Sequence, residues 1–154
     1  MLKIRLASIK DLDIYYSWAN DAEVRVQSFT SNEINFRDHE KWFRSKLNDK
    51  MCHMFIFQNE EKEYVGQVRI QEQDVTNAII GISIDQLFRG YGYSKEMLIN
   101  SCRLYLKRKS TVTIHAYIKK NNLTSQAAFK NAGFQYLEMV NFNDSESVHY
   151  ILKK

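Results

Sequence analysis

The chain has 154 residues, of which 44% are hydrophobic and 26% are charged, and its formal net charge is +4. This length and composition predict a single globular domain, residues 1–154, with a core large enough to need neither a metal ion nor disulfide bonds. No apolar stretch is long enough to cross a bilayer, and the N-terminal residues lack the apolar core of a signal peptide, which excludes a membrane protein and predicts a cytoplasmic one.

The cysteines and the basic clusters exclude two further classes. Cys52 and Cys102 stand alone, without a ligand pair nearby, so we expect neither a disulfide framework nor a metal site. Basic residues cluster at 107–109, 119–120 and 153–154. Because no helix-turn-helix, RRM or zinc-finger pattern accompanies them, we interpret them as solvated surfaces that attract an anionic small ligand, not as a nucleic-acid interface.

The first half of the chain predicts one strand, two helices and then three strands. Lys3 to Ala7 alternates weakly, and Ser8 followed by Asp11 resembles a capping box ahead of apolar residues at helical spacing. A second helix is predicted to begin near Asn35. The three strands, separated by turn-like segments at 59–62 and 74–77, are predicted over Met54 to Gln58, Tyr64 to Gln73 and Ala78 to Ile84.

The second half predicts two strand–helix units and a terminal hairpin. The elements are a helix from about Gly92 to Lys107, a strand from Val112 to Ile118, a helix from Ser125 to Asn131 closed by Gly133, and strands from Gln135 to Phe142 and Ser147 to Leu152. The whole order is β-α-α-β-β-β-α-β-α-β-β. It predicts an α/β protein with a mixed sheet, flanked by helices, and with two strand–helix crossovers in its second half.

The segment from Ile82 to Ser94 carries the strongest functional signal. A buried strand runs into Arg-Gly-x-Gly at the start of a helix. The glycines let the backbone turn tightly and expose successive N–H groups, and the helix adds the unsatisfied amides of its first turn. Arg89 adds a cation beside them. The pattern predicts a phosphate site, but it lacks the lysine of a Walker A loop and the third glycine of a dinucleotide fingerprint.

A second segment, residues 118–134, contains a strand end, a polar turn and a short helix that ends in Gly-Phe. Together the two segments resemble the acetyl-CoA site of GNAT superfamily N-acetyltransferases, whose glycine loop binds the pyrophosphate and whose later Asn…Ser…Tyr-x-x-x-Gly-Phe helix borders the CoA arm. The resemblance implies the GNAT acyl-CoA N-acyltransferase fold, acetyl-CoA as cosubstrate, and transfer of acetyl to a primary amine.

The resemblance also implies which residues hold the cosubstrate. Backbone amides are implied to bind the pyrophosphate at Arg89, Gly90, Tyr91, Gly92, Tyr93 and Ser94. The strand residues Ile82, Ser83 and Ile84 are implied to hydrogen-bond the pantetheine as an added strand would. The CoA arm is implied to contact Asn122, Ser125, Phe129 and Lys130, although Phe129 also suits the core and Ser125 also suits a helix cap.

Two positions depart from the family pattern. Leu87 stands where members often have Gln or Arg. Phe129 stands where many members have a tyrosine that is proposed to protonate the departing thiolate. Since a phenyl ring cannot donate a proton, either another group or water is the acid, or the thiolate leaves unprotonated.

The candidates for the general base come from a strand near the predicted site. In ribosomal-protein N-terminal acetyltransferases, which the chain resembles here, a glutamate five residues before the asparagine is the base. The equivalent position is Tyr117, with His115 on the same strand face. An imidazole is a credible base through water, although a strand histidine is more often a hydrogen-bonded surface residue. Glu72 is the third candidate, and a backbone amide of residues 82–84 is the expected oxyanion donor.

The acceptor is predicted from the N-terminal region, which in this superfamily covers the substrate cleft. Its aromatic and polar run resembles acetyltransferases of nucleotide-sugar pathways, including those acting on 4-amino sugars for nonulosonic acids such as pseudaminic acid. Aromatic faces stack on sugar or uracil rings, and arginine binds diphosphate. The predicted acceptor residues are Trp18, Asn20, Arg25, His39, Trp42 and Arg69, of which Trp42 also suits helix packing.

The predicted partner is therefore a small-molecule amine, namely a nucleotide sugar. A homodimer is also compatible with the sequence. One alternative is a protein N-terminal or small-molecule amine acetyltransferase on the same fold. An alternative of another class is a non-catalytic CoA-binding module, which Phe129 and the missing glutamate favour.

Overall fold

A seven-stranded mixed sheet forms the centre of the computed structural model, which describes residues 1–154. The strands are β1 (Lys3–Leu6), β2 (Cys52–Gln58), β3 (Tyr64–Glu72), β4 (Asn77–Ile84), β5 (Thr113–Lys119), β6 (Gln135–Phe142) and β7 (Ser145–Leu152). The helices are α1 (Leu12–Ala19), α2 (Ala22–Gln27), α3 (Phe36–Asn48), α4 (Tyr93–Arg108) and α5 (Leu123–Asn131).

The sheet order is β1-β2-β3-β4-β5-β7-β6. Strands β1 to β4 form an antiparallel meander, and β4 pairs in parallel with β5 after the α4 crossover. The second crossover, through α5, leads to β6, and β7 lies antiparallel between β5 and β6. The predicted α/β class, mixed sheet and crossovers are confirmed.

Local capping residues mark several of the helix ends. The side chain of Asn35 caps α3 by accepting a hydrogen bond from the Asp38 amide at 2.9 Å, and Ser8 and Asp11 form the predicted capping box. Gly133 ends the α5 segment with a φ of +98°. These predictions are confirmed.

The element order differs from the prediction by one helix, and β2 and β7 each begin two residues earlier than predicted. Helix α2 has six residues, none of them buried, so it lacks the apolar periodicity by which sequence patterns indicate helices. Strand β7 begins at Ser145, not at the predicted Ser147, because Asn143 and Asp144 adopt positive φ and make a two-residue turn.

Both faces of the sheet are covered. The larger core cluster packs α4 and α5 against one face, and it includes Val68, Met97 and Cys102. The smaller cluster packs α1 and α3 against the other face, and it includes Tyr15 and Phe43. No helix is both long enough and apolar enough to cross a membrane.

Candidate functional site

Two adjacent cavities meet at the second half of β4. The loop cavity, of about 570 Å³, extends from β4 to the segment before α4 and to α5. The helix cavity, of about 730 Å³, is bounded by α1, α3 and β3. The residues that line both cavities are Val24, Ser28, Ile80, Gly81, Ile82, Ser83 and Tyr117. A group held in one cavity can therefore contact a group held in the other.

The cavities open because β4 and β5 diverge. The two strands pair only over Asn77–Ile79 and Thr113–His115. Residues 80–84 have no strand partner on that side, whereas β5 continues to pair with β7 as far as Lys119. Unpaired backbone N–H and C=O groups are therefore available in the cavity wall to an extended ligand with amide groups of its own. The predicted pantetheine residues Ile82, Ser83 and Ile84 lie in this wall.

The glycine loop forms one end of the loop cavity. Gly90 and Gly92 have φ values of +81° and +79°, a region that only glycine adopts readily. A Cβ atom at either position would meet no protein atom within 4 Å, so the loop faces open space. The first-turn amides of α4, at Tyr93 and Ser94, have no partners within the helix. This cradle of backbone donors fits a pyrophosphate.

Tyr91 is the exception among the predicted pyrophosphate residues. Its side chain is 65% exposed, its ring stacks on Tyr93 at a centroid distance of 5.7 Å, and it does not line the cavity. The other predicted loop residues do line it.

The side chain of Arg89 has a different role from the predicted one, although the residue lines the loop cavity as expected. Its guanidinium nitrogens each lie 2.7 Å from a carboxylate oxygen, one of Asp21 and one of Glu23. Its charge is therefore already compensated, and the expectation that it supplies a free cation to a phosphate is corrected. Instead, the Arg89 side chain links α2 to the glycine loop. The Lys119 ammonium links α2 to β5, because it donates a hydrogen bond to the Val26 carbonyl at 3.1 Å.

Helix α5 supplies a second wall of the loop cavity. The Asn122 side chain caps the helix by accepting a hydrogen bond from the Ser125 amide at 3.2 Å, and both residues line the cavity. Phe129 also lines it, is 2% exposed and packs edge-on against Phe134 at 5.0 Å. Lys130 is exposed and lies outside the lining, so the expectation that it borders the CoA arm is not supported by its position.

Replacing Phe129 by Leu is expected to retain most of the kcat, because the phenyl ring donates no proton. The ring's edge contact with Phe134 is lost, so we expect about 1 kcal/mol of destabilisation and a modest rise in the KM for acetyl-CoA. Thiol release under steady-state conditions and a thermal melt measure both effects. Phe129→Tyr, which restores a hydroxyl, is expected to match or exceed the wild-type rate. A Phe129→Leu variant that binds acetyl-CoA normally but does not turn it over would refute the interpretation that the ring serves only in packing.

The two strand candidates for the base differ in their positions. Tyr117 lies where the cavities meet, stacked on Phe142 at 4.1 Å and on His149 at 4.3 Å. His115 lines neither cavity, and both its ring nitrogens are engaged, Nδ1 with His149 and Nε2 with Asn77, each at 2.8 Å. His115 thus has no free lone pair with which to accept a proton from the acceptor, and its predicted catalytic role is corrected.

Glu72 lies on the opposite face of the sheet. Its Oε1 atom accepts a hydrogen bond from the Tyr105 hydroxyl at 3.2 Å and lies 3.0 Å from His53 and 3.6 Å from Lys109. Because it contacts α4 and lines neither cavity, its predicted role as a base is wrong.

Two of the predicted acceptor residues hold the N-terminal region in place. Trp18 is 4% exposed, donates from Nε1 to Asp85 at 2.8 Å, and presents its ring to the helix cavity. Asn20 bonds the carbonyl and the amide of Ile34 at 2.6 and 2.8 Å and lines neither cavity. Asn20 therefore fixes the connection between α2 and α3, and its predicted contact with the acceptor is corrected.

The two predicted arginines differ in the partners of their guanidinium groups. Arg25 donates to backbone carbonyls in the 30–32 segment at 2.9 and 3.3 Å and to the Ser28 hydroxyl at 3.1 Å. The Arg69 guanidinium makes no hydrogen bond or ion pair within the protein, and its Cζ atom lies 5.0 Å from the centroid of the Trp42 ring. Burial lowers the pKa of Arg69, but an arginine remains charged. The helix cavity thus contains an uncompensated cation.

Buried polar atoms without a hydrogen-bond partner concentrate at the two cavities. Apart from Ser101 Oγ, every buried side-chain polar atom without a hydrogen-bond partner belongs to a cavity-lining residue: Tyr15 Oη, Arg25 Nε, Gln27 Oε1, His39 Nε2 and Gln67 Oε1. Since buried polar groups are almost always hydrogen-bonded, these atoms indicate ligand-binding walls.

The sequence-based prediction did not include Tyr15, Gln67 or Gln71. Tyr15 has the spacing of a core residue. Gln67 and Gln71 alternate with apolar residues and flank Arg69 on β3, so the polar face of that strand could have been predicted as a cavity wall.

Comparison with known proteins agrees with this geometry. The family model for the acetyltransferase (GNAT) domain matches residues 1–135. An uncharacterized protein of Methanocaldococcus jannaschii is 23% identical over 133 residues, which cover 86% of this chain but only 28% of that protein. The chain thus spans less than a third of the length of that relative.

Two solved structures have the same fold at low sequence identity. The spermidine N-acetyltransferase from Vibrio cholerae, in complex with CoA and spermine, superposes with a TM-score of 0.87 at 15% identity, covering 98% of this chain and 94% of that one. The aminoglycoside acetyltransferase AAC(6')-Ib, in complex with CoA and kanamycin, gives 0.86 at 17% identity over 100% and 95% of the chains. With a diverging strand pair, a glycine cradle and a family match over most of its length, the chain belongs to the GNAT family of acetyltransferase domains.

Proposed function

We propose that this chain transfers acetyl from acetyl-CoA to the primary amine of an acceptor that also carries an anionic group, a nucleotide-linked amino sugar of the 4-amino-4,6-dideoxy type. Acetyl-CoA occupies the loop cavity and the acceptor occupies the helix cavity. The observation that carries the acceptor class is the Arg69 guanidinium, which has no anionic partner in the protein and faces the helix cavity.

Direct transfer within a ternary complex is supported by the residues where the cavities meet. Neither cysteine lines either cavity, and burial raises the pKa of Cys102 to about 12 and also raises that of Cys52, so both thiols remain protonated and weakly nucleophilic. The shared segment 80–83 of β4 offers backbone amides to a thioester oxygen. Positioning of the two reactants and stabilisation of the oxyanion are the chief contributions of such a site.

The charges in the helix cavity support an anionic acceptor over a cationic one. Asp38 is the only carboxylate-bearing residue among those that line it, and its side chain is bonded to Asn35 at 2.8 Å. A polyamine such as the spermine of the V. cholerae complex would need several carboxylates near its ammonium groups. A diphosphate would instead receive charge-assisted hydrogen bonds from Arg69. The exposed ring of Trp42 offers a stacking face to a sugar or a uracil.

A panel of amines at equal concentration tests the proposal. The panel contains a UDP-linked 4-amino-4,6-dideoxy sugar, the same amino sugar without the nucleotide, spermidine, kanamycin and a peptide with a free N-terminus, and acetyl-CoA-dependent thiol release is measured. We expect the highest kcat/KM for the nucleotide sugar, by at least about tenfold over the free sugar, because one charge-assisted hydrogen bond contributes about 1.5–3 kcal/mol.

Other outcomes separate the alternatives. Faster acetylation of spermidine or the peptide would contradict the proposed acceptor class, but it would still support an acetyltransferase activity. CoA binding without turnover of any amine would instead favour a non-catalytic binding module.

A further inference from the structure

His39 differs from the other histidines of the chain. Of the four histidines, three have side-chain hydrogen-bond partners on their rings. His53 lies 3.0 Å from Glu72, and His115 and His149 bond each other at 2.8 Å. His39 alone has a buried ring nitrogen, Nε2, without a partner, and it is the only histidine that lines the loop cavity or the helix cavity.

Packing fixes the His39 ring in the wall of the helix cavity. The residue is 2% exposed, and its ring lies parallel to that of Phe43, with a centroid distance of 5.9 Å and an interplanar angle of 14°. The rings of Tyr16 and Trp42 lie at 5.3 and 5.7 Å. The wall of the helix cavity therefore contains an imidazole that is fixed in one orientation. Little side-chain entropy is lost at this residue when a ligand binds.

The Nε2 atom of His39 has no hydrogen-bond partner in the protein, and the residue lies in the wall of the helix cavity. A neutral imidazole has one protonated nitrogen and one nitrogen with a free lone pair. In the tautomer that is protonated on Nδ1, the free lone pair is on Nε2.

The surroundings of His39 favour the neutral form of its ring. The titratable groups near it are the hydroxyls of Tyr15 and Tyr16 from α1, Arg69 of β3 behind Trp42, and Asp38 of its own helix, which turns to Asn35. None is a carboxylate in contact with the ring. Burial lowers the pKa of His39. At neutral pH the ring is therefore ready to accept a proton.

We propose that His39 is the general base that removes a proton from the acceptor ammonium, either directly or through one water, an inference that rests on the proposed acetyl transfer to an amine. Nε2 takes one proton from R–NH₃⁺, and the resulting R–NH₂ attacks the thioester carbonyl carbon. A C–N bond forms, the C–S bond breaks, and the nitrogen loses a second proton, which CoA thiolate takes to become the thiol. The imidazolium then releases its proton to solvent, so one proton is released per acetyl transferred.

Nitrogen NMR of the wild-type protein tests the state of the ring without any turnover. With ¹⁵N-labelled histidine, we expect the His39 ring to be the Nδ1–H tautomer with Nε2 unprotonated at pH 7, and to titrate below the ordinary histidine pKa of about 6.5. A ring that is an imidazolium at pH 7, or that carries its proton on Nε2, would overturn the proposal.

Kinetics of His39→Gln test its catalytic role. Glutamine fills much of the volume of the histidine, but its side-chain oxygen is not basic enough to take the proton. We expect kcat/KM for the fastest amine of the panel to fall about a hundredfold or more, with an unchanged Kd for acetyl-CoA. The acidic limb of the pH profile, which in the wild type rises with pH as His39 loses its proton, is expected to disappear. Added imidazole is expected to restore part of the rate in His39→Ala.

The matched control is His53→Gln, which removes a histidine on the opposite face of the sheet and is expected to leave kcat/KM and the pH profile unchanged. Thermal melts of all three variants establish that they are folded. A folded His39→Gln variant with near-wild-type kcat/KM and an intact acidic limb overturns this inference alone. Failure of the wild type to acetylate any amine overturns the proposed function, and this inference with it.

Discussion

Replacing both Gly90 and Gly92 by valine is expected to weaken acetyl-CoA binding by at least about a hundredfold. Both glycines have φ near +80°, where a β-branched residue costs about 1–3 kcal/mol. The loop would leave this conformation, and its backbone amides would no longer point together at a pyrophosphate. The valine side chains would also fill the open space in front of the loop. Isothermal titration with CoA measures the effect.

Gly133→Val is the matched control for this pair. Gly133 also has a positive φ, +98°, but it follows α5 and lines neither cavity. We expect that variant to lose stability while its Kd for CoA remains close to the wild-type value. A folded double variant with unchanged CoA affinity would refute the assignment of the loop.

Replacing Arg69 by Gln is expected to raise the KM for the anionic acceptor by about tenfold to a hundredfold. The guanidinium has no hydrogen-bond or ion-pair partner in the protein, so its hydrogen-bonding capacity is free for a ligand, and each charge-assisted bond is worth about 1.5–3 kcal/mol. Arg69→Lys keeps the charge but loses the planar fork, and we expect an intermediate KM. Steady-state kinetics with the UDP-linked and the free amino sugar measure the difference.

Arg44→Gln is the control for loss of charge alone, because Arg44 lies on the exposed side of α3, paired with Glu40. The Kd for acetyl-CoA is expected to remain unchanged in both variants. An equal loss of activity on the free amino sugar would mean that Arg69 contributes to the structure of the cavity and not to recognition of an anion.

The order of the elements and the cosubstrate loop could be predicted from the sequence because both depend on residues close together in the chain. Helix caps at Asn35 and Asn122 act over three residues, and the alternation in β3 belongs to that strand alone. The glycine loop is a local turn followed directly by the start of α4. Helix α2 escaped prediction because it is short and lacks a buried face.

The state of each functional side chain was decided only by the tertiary structure, because charge compensation and burial come from distant residues. The charge of Arg89 is compensated by carboxylates 66 and 68 residues away in the chain. The motif predicts that this cation binds a phosphate, but in the folded protein it pairs with residues at the start of α2. His115 is engaged by His149, 34 residues away, and Glu72 by Tyr105, 33 residues away. The groups that remain unpaired in the acceptor cavity, Arg69 and His39 Nε2, are defined by the absence of such partners. No local pattern encodes that absence, because it depends on which side chains the folded chain brings within hydrogen-bond distance.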